Sequence, residues 1–417
     1  MTLRPDSVVH RAQVPRSASA LQSLIADAHS SSTPLRISGS GTWLAAGRPV
    51  NAAQHISTRN LAGIVEYVPG DLVLTANAGT SLQEIAHETA RHNQWLALEP
   101  YASPGGIDTG TIGATISTAS QGPLALGYGR ARDLILGASF ITGDGTAVRA
   151  GGRVVKNVAG FDLVRLVTGA WGTLGIITQV SLRLHARPAV DETFAIAIDL
   201  PTAPDAHDAR LAQLVTRLNS SPLLAVTSSL AALVLLTHDA PATVRASHDI
   251  PSATAVLLAR ATGNRTRVNA ECSALAALGP VSLVEGAVWR TIQTLESGNT
   301  TLRITDSPLR IPATWRRVDS WVTEQRATNV NSIVEPLRGA LRVSCELVAA
   351  NNAAWSLPER ATPERLPVDA WASVPCAVND HISQRLRVAF DPAGILNPGI
   401  LGAATVSVTA LTDMGVM

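Results

Sequence analysis

Glycine is concentrated between Gly105 and Gly175, and this distribution constrains the fold more than any other feature of the chain. The apolar runs in this stretch are short, and glycine interrupts them repeatedly. Glycine lets the backbone approach a ligand closely and adopt turns that other residues resist. Binding residues also lie preferentially on loops that a rigid scaffold positions. The stretch is therefore predicted to form short elements whose backbone surrounds a bound molecule.

A strand that runs into a Gly-x-Gly turn lies upstream of this stretch, with the sequence RISGSGTW over residues 36–43. Successive backbone N–H groups in such a turn can form an anion-binding nest, to which hydroxyl groups add donors, so the turn suits a pyrophosphate. It lacks the Gly-x-Gly-x-x-Gly spacing and the following acidic residue of a nicotinamide site. An ordinary glycine-rich turn is the alternative interpretation. The candidate ligand-binding residues here are Ser38, Gly39, Ser40, Gly41 and Thr42.

Two further motifs fall inside the glycine-dense stretch. The first, PGGIDTGTIGA over residues 104–114, exposes many donors beside a short predicted helix, although a flexible surface loop is also consistent with it. The second reads GGRVVKNVAGFD from Gly151 and continues as GAWGTLGII to Ile177. The candidates from these motifs and the residues between them are Pro104, Gly105, Gly106, Thr109, Gly113, Ser117, Gly122, Lys156, Gly175 and Ile177.

Lys156 is the only lysine among the 33 Lys and Arg residues of the chain. Arginine replaces lysine on most solvated surfaces, where only charge matters. The retention of a lysine at position 156 indicates that this position needs a compact ammonium group. Chance survival of the lysine is the alternative interpretation.

Composition narrows the classes of function. A chain of 417 residues is expected to form two domains. Its formal charge of +1 provides no basic excess for binding nucleic acid or an anionic membrane. The cysteines (Cys272, Cys345 and Cys376) lie far apart, which argues against an iron–sulfur cluster, a structural zinc site or a disulfide framework. The N-terminus has no secretory pattern and the longest apolar run is too short to span a bilayer. We therefore expect a cytoplasmic protein that reaches the inner membrane only through partners.

Hydrophobic periodicity predicts an α+β chain in which the second half rests on an antiparallel sheet. Two strands are expected within Leu223–Leu236, around Ser228 and Ser229. The predicted helices are Ala18–His29, Ser81–Asn93, Asp205–Leu218, Pro312–Gln325 and Val378–Phe390. The other predicted strands are Leu35–Ser38, Ile64–Val68, Leu72–Ala76, Asp191–Leu200, Leu302–Thr305 and Ala340–Leu347.

The segments KNVAGFD and GAWGTLGII resemble a family of FAD-linked oxidases, those with the vanillyl-alcohol oxidase type of FAD domain. In that family a K-N-x-x-G-Y-D segment leads to G-S-x-G-T-L-G-I. SGSGT and PGG-x6-GA are similar to its two phosphate loops, so the resemblance covers Leu35–Leu184, and it resumes with FDPAGILNPG over Phe390–Gly399. Within the family, GGRVVKNVAGFD is most similar to the FAD-binding E subunits of bacterial glycolate oxidases.

The resemblance implies a PCMH-type FAD-binding domain of two subdomains over residues 1–187 and an α+β cap domain with an antiparallel sheet over residues 188–375. A C-terminal segment, residues 376–403, would return to the FAD domain, and residues 404–417 would form a flexible tail. Ser38–Thr42 and Gly105–Gly113 would hold the pyrophosphate and neighbouring ribityl or ribose groups. Ser117, Gly122, Gly175 and Ile177 would line the flavin or adenine, and Asn397 of the closing motif joins the cofactor-binding set.

Departures from the family pattern are informative. Phe161, Ala170 and Ile400 stand where the family has tyrosine, serine and lysine, so two hydroxyls are lost while the glycines remain. Trp43 occupies the place of the histidine that attaches FAD covalently, and the second region has no cysteine, which predicts non-covalent FAD. The His and Glu cluster that holds a metal in related hydroxy-acid enzymes is missing, so no metal is expected. The histidines of the cap region are interpreted as surface or turn residues: His207, His238 and His248.

The resemblance implies an FAD-dependent oxidoreductase that acts on CH–OH donors. It would be one flavin subunit of a complex that oxidises glycolate, or another small 2-hydroxy acid, and passes electrons onward. The partners would be a second flavin subunit and an iron–sulfur subunit. Lys156 would either stabilise charge on the reduced flavin or the substrate carboxylate, or anchor a loop. The alternatives are a non-catalytic flavin-binding structural subunit and a stand-alone alcohol or hydroxy-acid oxidase.

Overall fold

A computed structural model of the protein describes residues 12–102, 110–152, 161–201, 203–220, 229–296, 298–348, 356–376 and 378–402. The helices are α1 Ala18–Ser30, α2 Leu82–Ala90, α3 Ile112–Thr118, α4 Ala125–Tyr128, α5 Leu163–Val167, α6 Pro204–Ser220, α7 Ala240–Arg245, α8 Arg265–Leu275, α9 Val288–Gln293, α10 Ile311–Glu324 and α11 His381–Phe390. Short 3₁₀ turns span Pro69–Asp71, Ala131–Asp133, Pro308–Arg310 and Val368–Ser373.

The strands belong to two main sheets and two small pairs. They are β1 Leu35–Ser38, β2 Gln54–Ser57, β3 Ile64–Val68, β4 Val73–Asn77, β5 Gln94–Trp95, β6 Ile135–Ile141, β7 Ala147–Gly151, β8 Ile176–Arg183, β9 His185–Ala186, β10 Val190–Ile198, β11 Leu230–His238, β12 Ala255–Gly263, β13 Val281–Val284, β14 Thr300–Thr305, β15 Thr328–Glu335, β16 Ala340–Glu346 and β17 Ala361–Arg365. The predicted α+β class is confirmed.

The first main sheet is antiparallel and has the order β3-β4-β8-β6-β7. The predicted hairpin is confirmed as β3 and β4, joined by the 3₁₀ turn. The predicted N-cap is also confirmed, since Ser81 Oγ accepts a hydrogen bond from Glu84 N at 3.0 Å at the start of α2. Helix α3 covers this sheet with Ile112 and Ile116, both fully buried. A rigid layer therefore supports the glycine-rich connections.

A smaller layer holds the predicted Gly-x-Gly turn. Strands β1 and β2 pair in parallel, and the chain returns to them near its C-terminus, where Leu35 N donates to Ile395 O at 2.8 Å. Helix α1 buries Leu21 and Ile25 against the same core. The turn that follows β1 is therefore fixed by a strand, a helix and a segment more than 350 residues away in sequence.

The second main sheet is antiparallel and has the order β13-β10-β12-β11-β15-β16-β14-β17. Strand β11 is apolar from Leu230 to Leu236, as expected for a strand with both faces buried. Leu233 and Leu235 pack toward α6, α8 and α10, while Val234 and Leu236 pack toward α7 and α9. Of the two strands expected within Leu223–Leu236, only the second falls in the described part of the chain. It begins at Leu230, after the serines, and residues 221–228 lie outside that part.

Helix ends account for most differences from the predicted bounds. The helix expected over Val378–Phe390 begins at His381, because the carboxylate of Asp380 accepts hydrogen bonds from Ile382 N and Ser383 N at 3.0 Å and caps it there. Among the residues described, no helix is long and apolar enough to cross a membrane.

Candidate functional site

A cleft opens where the small β1–β2 layer meets α3 and the start of β8. Its empty space, including the part open to solvent, is about 630 Å³. The lining residues in the described part of the chain are Arg36, Ile37, Ser38, Gly39, Gly41, Thr42, Trp43, Leu44, Thr58, Gly113, Ala114, Ser117, Thr118, Trp171, Gly172, Gly175, Ile176, Ile177, Asn397 and Ile400.

The turn after β1 forms one wall of the cleft. Gly39 is buried against the first turn of α3, where a Cβ atom would lie only 2.3 Å from Thr111 Oγ1. Its carbonyl accepts a hydrogen bond from Ser57 Oγ at 2.7 Å. Gly41 has a φ of 100°, a conformation that favours glycine. The turn is thus held from behind, and its other side faces the cleft.

Helix α3 forms the opposite wall. Thr111 caps the helix, and Gly113 N donates to Ala78 O at 2.8 Å, which fixes the helix on the turn after β4. Ser117 lies one turn further and its carbonyl accepts a hydrogen bond from Trp171 N at 2.8 Å. This bond attaches the loop before β8 to the helix.

Asn397 joins two walls through its side chain. Its Oδ1 accepts from Ile37 N on β1 at 2.8 Å, and its Nδ2 donates to Trp171 O at 2.8 Å. The residue is 3% exposed and has a φ of 44°, a region that asparagine tolerates better than most residues. The bonded loop also brings the indole of Trp171 edge-on to Trp43, with ring centroids 5.8 Å apart.

The structure brings most of the sequence-predicted residues into this cleft: Ser38, Gly39, Gly41, Thr42, Gly113, Ser117, Gly175, Ile177 and Asn397. Ser40 belongs to the same turn but its side chain is exposed. Gly122 does not line the cleft, because it packs against Glu99 O, which a Cβ atom would approach to 2.0 Å. Pro104, Gly105, Gly106, Thr109 and Lys156 lie outside the described residues.

Sequence reasoning missed Arg36, Trp171 and Ile400 as cleft residues. Arg36 is 8% exposed, and its Nη2 donates to Leu44 O at 3.2 Å. Burial lowers its pKa to about 10, which still leaves it cationic at neutral pH. The available signal was the two-residue period of a strand, which puts Arg36 on the same side as Ser38.

Polar contacts between the first domain and the later part of the chain involve Gly47, Arg48 and Arg260. Gly47 N donates to Glu364 O at 2.8 Å, and Arg48 Nη1 donates to Trp371 O at 2.8 Å. Arg260 on β12 bridges Asp191 on β10, at 2.8 Å, and Glu99 of the first domain, at 3.1 Å. The two units are therefore joined by charged and backbone contacts.

A buried charge cluster lies on the second sheet beside Tyr101 of the first domain. Arg342 pairs with Glu296 and Glu364, while Arg365 pairs with Glu296. The Arg342 guanidinium lies 4.4 Å from the centroid of the Tyr101 ring. Each guanidinium already has a carboxylate partner, so the cluster is balanced internally.

The cap histidines are less exposed than expected. His207 stacks on Trp315 with ring centroids 4.1 Å apart, and His238 Nε2 lies 3.2 Å from Asp319 Oδ1. His248 does lie in a turn, as expected, and bonds Thr291 Oγ1 at 2.6 Å. The expectation of surface histidines is wrong for His207, which packs in a helical layer. No group of three or more His, Cys, Asp or Glu residues with a geometry suited to a metal occurs in the described ranges.

Comparison with known proteins finds a matching family model and similar proteins for the first part of the chain. Residues 11–151 match the family model described as an FAD binding domain. The chain is 39% identical over 184 residues to glycolate oxidase subunit GlcE of Escherichia coli (strain K12), a match that covers 44% of this chain and 51% of that subunit. It is 30% identical over 193 residues to a D-lactate dehydrogenase of Archaeoglobus fulgidus, covering 46% of this chain and 42% of that protein. The matched segment thus spans about half of these relatives or less.

A crystal structure of p-cresol methylhydroxylase with substrate bound shares the fold. It has a TM-score of 0.68 at 15% identity and covers 94% of this chain and 88% of that one. This likeness extends over both sheets, and the predicted PCMH-type fold with a second α+β domain is confirmed.

The residues of the cleft fit FAD. Thr42 Oγ1 is buried and, among the described residues, has no hydrogen-bond partner, so a donor or acceptor is free for a ligand. Arg36 supplies a buried cation, and the ring-sized remainder of the lining is apolar. A flavin dinucleotide has these three features: a polar linker, an anionic diphosphate and a flat aromatic ring.

Proposed function

We propose that the chain is the flavin-binding E-type subunit of a glycolate or related 2-hydroxy-acid oxidase complex, because residues 11–151 match an FAD binding domain and the chain is similar to GlcE. In this role it would oxidise glycolate to glyoxylate and pass electrons through its flavin to partner subunits. The observation that carries the proposal is the convergence of the β1 turn, α3, the Trp171 loop and Asn397 on one cleft. The likeness to GlcE supports the choice of substrate class.

The cleft residues account for binding and orientation. The turn Ser38–Thr42 and Arg36 would hold the polar linker, while Ile177, Trp171 and Ile400 would exclude water from the ring. Asn397 would keep the two walls at a fixed separation. When bound, FAD supplies the ring that accepts a hydride from the substrate carbon.

Non-covalent binding is part of the proposal. Trp43 lines the cleft where related enzymes have an attaching histidine, and no cysteine is among the described lining residues. Acid precipitation of the purified protein should therefore release all of its flavin into the supernatant. Flavin that stays with the precipitated protein would contradict non-covalent binding.

Lys156 is proposed as the compact cation near the flavin or substrate. Lys156→Arg keeps the charge but changes its shape, so FAD occupancy and the rate of flavin reduction should both report a specific requirement. Unchanged values in this variant would reduce the lone lysine to an accident of composition.

The central test is anaerobic spectroscopy of the purified full chain. Its oxidised flavin absorption should bleach when glycolate or D-lactate is added, either alone or after the partner subunits are supplied. Bleaching by the chain alone would rule out the non-catalytic reading, in which the chain only binds flavin within the complex. Failure to bleach even in the reconstituted complex would contradict the proposed activity.

The non-catalytic alternative has support from two positions. Phe161, where the family has tyrosine, is 92% exposed and does not line the cleft, and Ala170 lacks the usual hydroxyl. A stand-alone oxidase would instead make hydrogen peroxide from substrate and oxygen without partners, which a peroxidase-coupled assay detects.

The proposed partners are a second flavin subunit and an iron–sulfur subunit. The test is co-purification of the tagged chain from its own cells, followed by measurement of iron and flavin. A complex with more than one flavin per copy of this chain and with bound iron supports the assignment, and recovery of the chain alone at full activity contradicts it.

A further inference from the structure

Arg36 is a buried cation without a buried anion beside it. It is 8% exposed, and its only described hydrogen bond is to a neutral acceptor, Leu44 O, at 3.2 Å. The other arginines with comparable burial in the second sheet, Arg342 and Arg365, are each paired with a carboxylate. Burying a guanidinium costs free energy that an opposite charge normally offsets. Among the residues that the structure describes, no carboxylate pairs with Arg36 to balance its charge.

The position of Arg36 indicates the group that would balance it. Arg36 and Ser38 lie on the same side of β1, and the strand leads directly into the turn that ends at Thr42. Thr42 Oγ1 is buried and has no hydrogen-bond partner in the described part of the chain. Arginine matches phosphate oxygens with a planar pair of donors, a geometry that lysine lacks. In oxidised FAD the formal negative charge lies on the diphosphate, and the flavin ring is neutral.

We propose that Arg36 is the residue that recognises the diphosphate of the cofactor, and that it makes the cleft select a flavin dinucleotide over an uncharged flavin. The inference rests on the proposed FAD function and goes beyond it, because it assigns the source of charge selectivity to one side chain. Thr42 Oγ1 provides a second, neutral contact to the same linker.

The test compares ligands on the full-length chain after its flavin has been removed. Dissociation constants are measured for FAD, riboflavin and ADP with the wild type, Arg36→Met and Arg36→Lys. The Met variant keeps the apolar stem and removes the charge. It should weaken FAD and ADP by about ten- to a hundredfold, the loss expected for a hydrogen bond to a charged group. Riboflavin, which has no phosphate, should change by less than roughly twofold.

The ratio of FAD affinity to riboflavin affinity distinguishes a lost diphosphate contact from misfolding of the variant. A partly unfolded variant binds less of every ligand by the same factor, so the ratio stays constant unless the diphosphate contact itself is lost. Arg36→Lys should give an intermediate ratio, because the charge remains but the paired donors do not. Arg91→Met, which removes an exposed guanidinium at 67% side-chain exposure, is the control for net charge and should leave the ratio unchanged.

Three outcomes would overturn the inference. Equal weakening of FAD and riboflavin in Arg36→Met would make Arg36 a structural residue, and unchanged FAD affinity would remove it from the site. A wild-type chain that binds riboflavin but gains nothing from the diphosphate would also refute it. If the wild type binds no flavin at all, the proposed function fails together with the inference, and this result is distinct from the other three.

Discussion

Replacement of Asn397 tests whether the two walls of the cleft are held together as the hydrogen bonds indicate. Asn397→Ala removes both partners, so Ile37 N and Trp171 O lose their bonds. A buried polar group left without a partner costs about 1–3 kcal/mol. Alanine at a φ of 44° adds about 1–2 kcal/mol. Because two groups lose their partners, we expect the free energy of unfolding to fall by about 3–8 kcal/mol, a large part of the 5–15 kcal/mol typical of a domain.

Two further variants divide this cost between its sources. Asn397→Gly removes the bonds but tolerates the positive φ, so it should recover about 1 kcal/mol relative to alanine. Asn397→Asp keeps the acceptor for Ile37 N and loses only the donor to Trp171 O. Its destabilisation should combine the lost bond to Trp171 O with the cost of burying a carboxylate at a position that is 3% exposed.

The assay is urea unfolding with and without FAD, combined with the dissociation constant of FAD. Asn397→Ala should weaken FAD by more than about tenfold, because binding must also restore the separation of the two walls. Asn299→Ala is a matched control: its side chain bridges Glu346 Oε1 and Leu347 O, both at 2.9 Å, within the second sheet. This control should lose stability and keep its FAD affinity. Wild-type FAD affinity in Asn397→Ala would refute the reasoning.

Three further changes test other parts of the structure. Gly39→Ala would place a Cβ atom 2.3 Å from Thr111 Oγ1, so the turn must shift. The ratio of flavin to protein absorbance should then fall at least about fivefold. Gly286→Ala is the control, because Gly286 has open space around it and the ratio should stay unchanged. Burial lowers the pKa of His207, so the unfolded chain takes up a proton first as the pH falls. Stability that is present above the ordinary histidine pKa of about 6.5 is therefore lost below it. The urea midpoint of His207→Gln should depend less on pH in that range, and an unchanged pH dependence would contradict the role of His207. Arg260→Met leaves the two carboxylates that Arg260 bridges without their cation, which should destabilise the protein by about 3 kcal/mol. Urea unfolding measures this change. A loss under about 0.5 kcal/mol would show that the bridge does not stabilise the protein.

Local sequence signals predicted the elements that border the cleft. The periodicity of Ala18–His29 reflects one buried face, and the helix occurs nearly as predicted. The strand Ile64–Val68, predicted from the turn residues that follow it, also occurs, although none of its side chains is fully buried. The turn after β1 was also predictable, because consecutive small and glycine residues after a strand have few other uses. These features depend on residues within one or two turns of each other, so the sequence carries them directly.

Glycine alone did not separate ligand contact from close packing. Gly113 and Gly122 were both expected at the cofactor, yet only Gly113 lines the cleft. Gly122 instead allows its backbone to approach Glu99 O. Both uses require the absence of a Cβ atom and both occur in glycine-dense segments. The distinction depends on which backbone approaches from elsewhere in the chain.

Long-range pairings were also beyond local sequence reasoning. The Nδ2 of Asn397 reaches Trp171 O across 226 positions, and no spacing rule connects those two sites. The closing FDPAGILNPG segment indicated only that the chain returns to the first domain. The resemblance placed Asn397 at the cofactor, but its use as a bridge between the walls follows from the fold.

The sequence and the structure draw attention to different cations, Lys156 and Arg36. Lys156 is conspicuous because the chain has no other lysine. Arg36 is one of many arginines, so the amino-acid composition of the chain does not single it out. Arg36 becomes conspicuous only once burial and partners are known, since a guanidinium that is 8% exposed without a carboxylate needs an external anion. The electrostatic requirement of a bound diphosphate is met by this side chain and by backbone donors of the turn. Charge selectivity in the cleft therefore does not require the lone lysine, and the two residues can be tested independently.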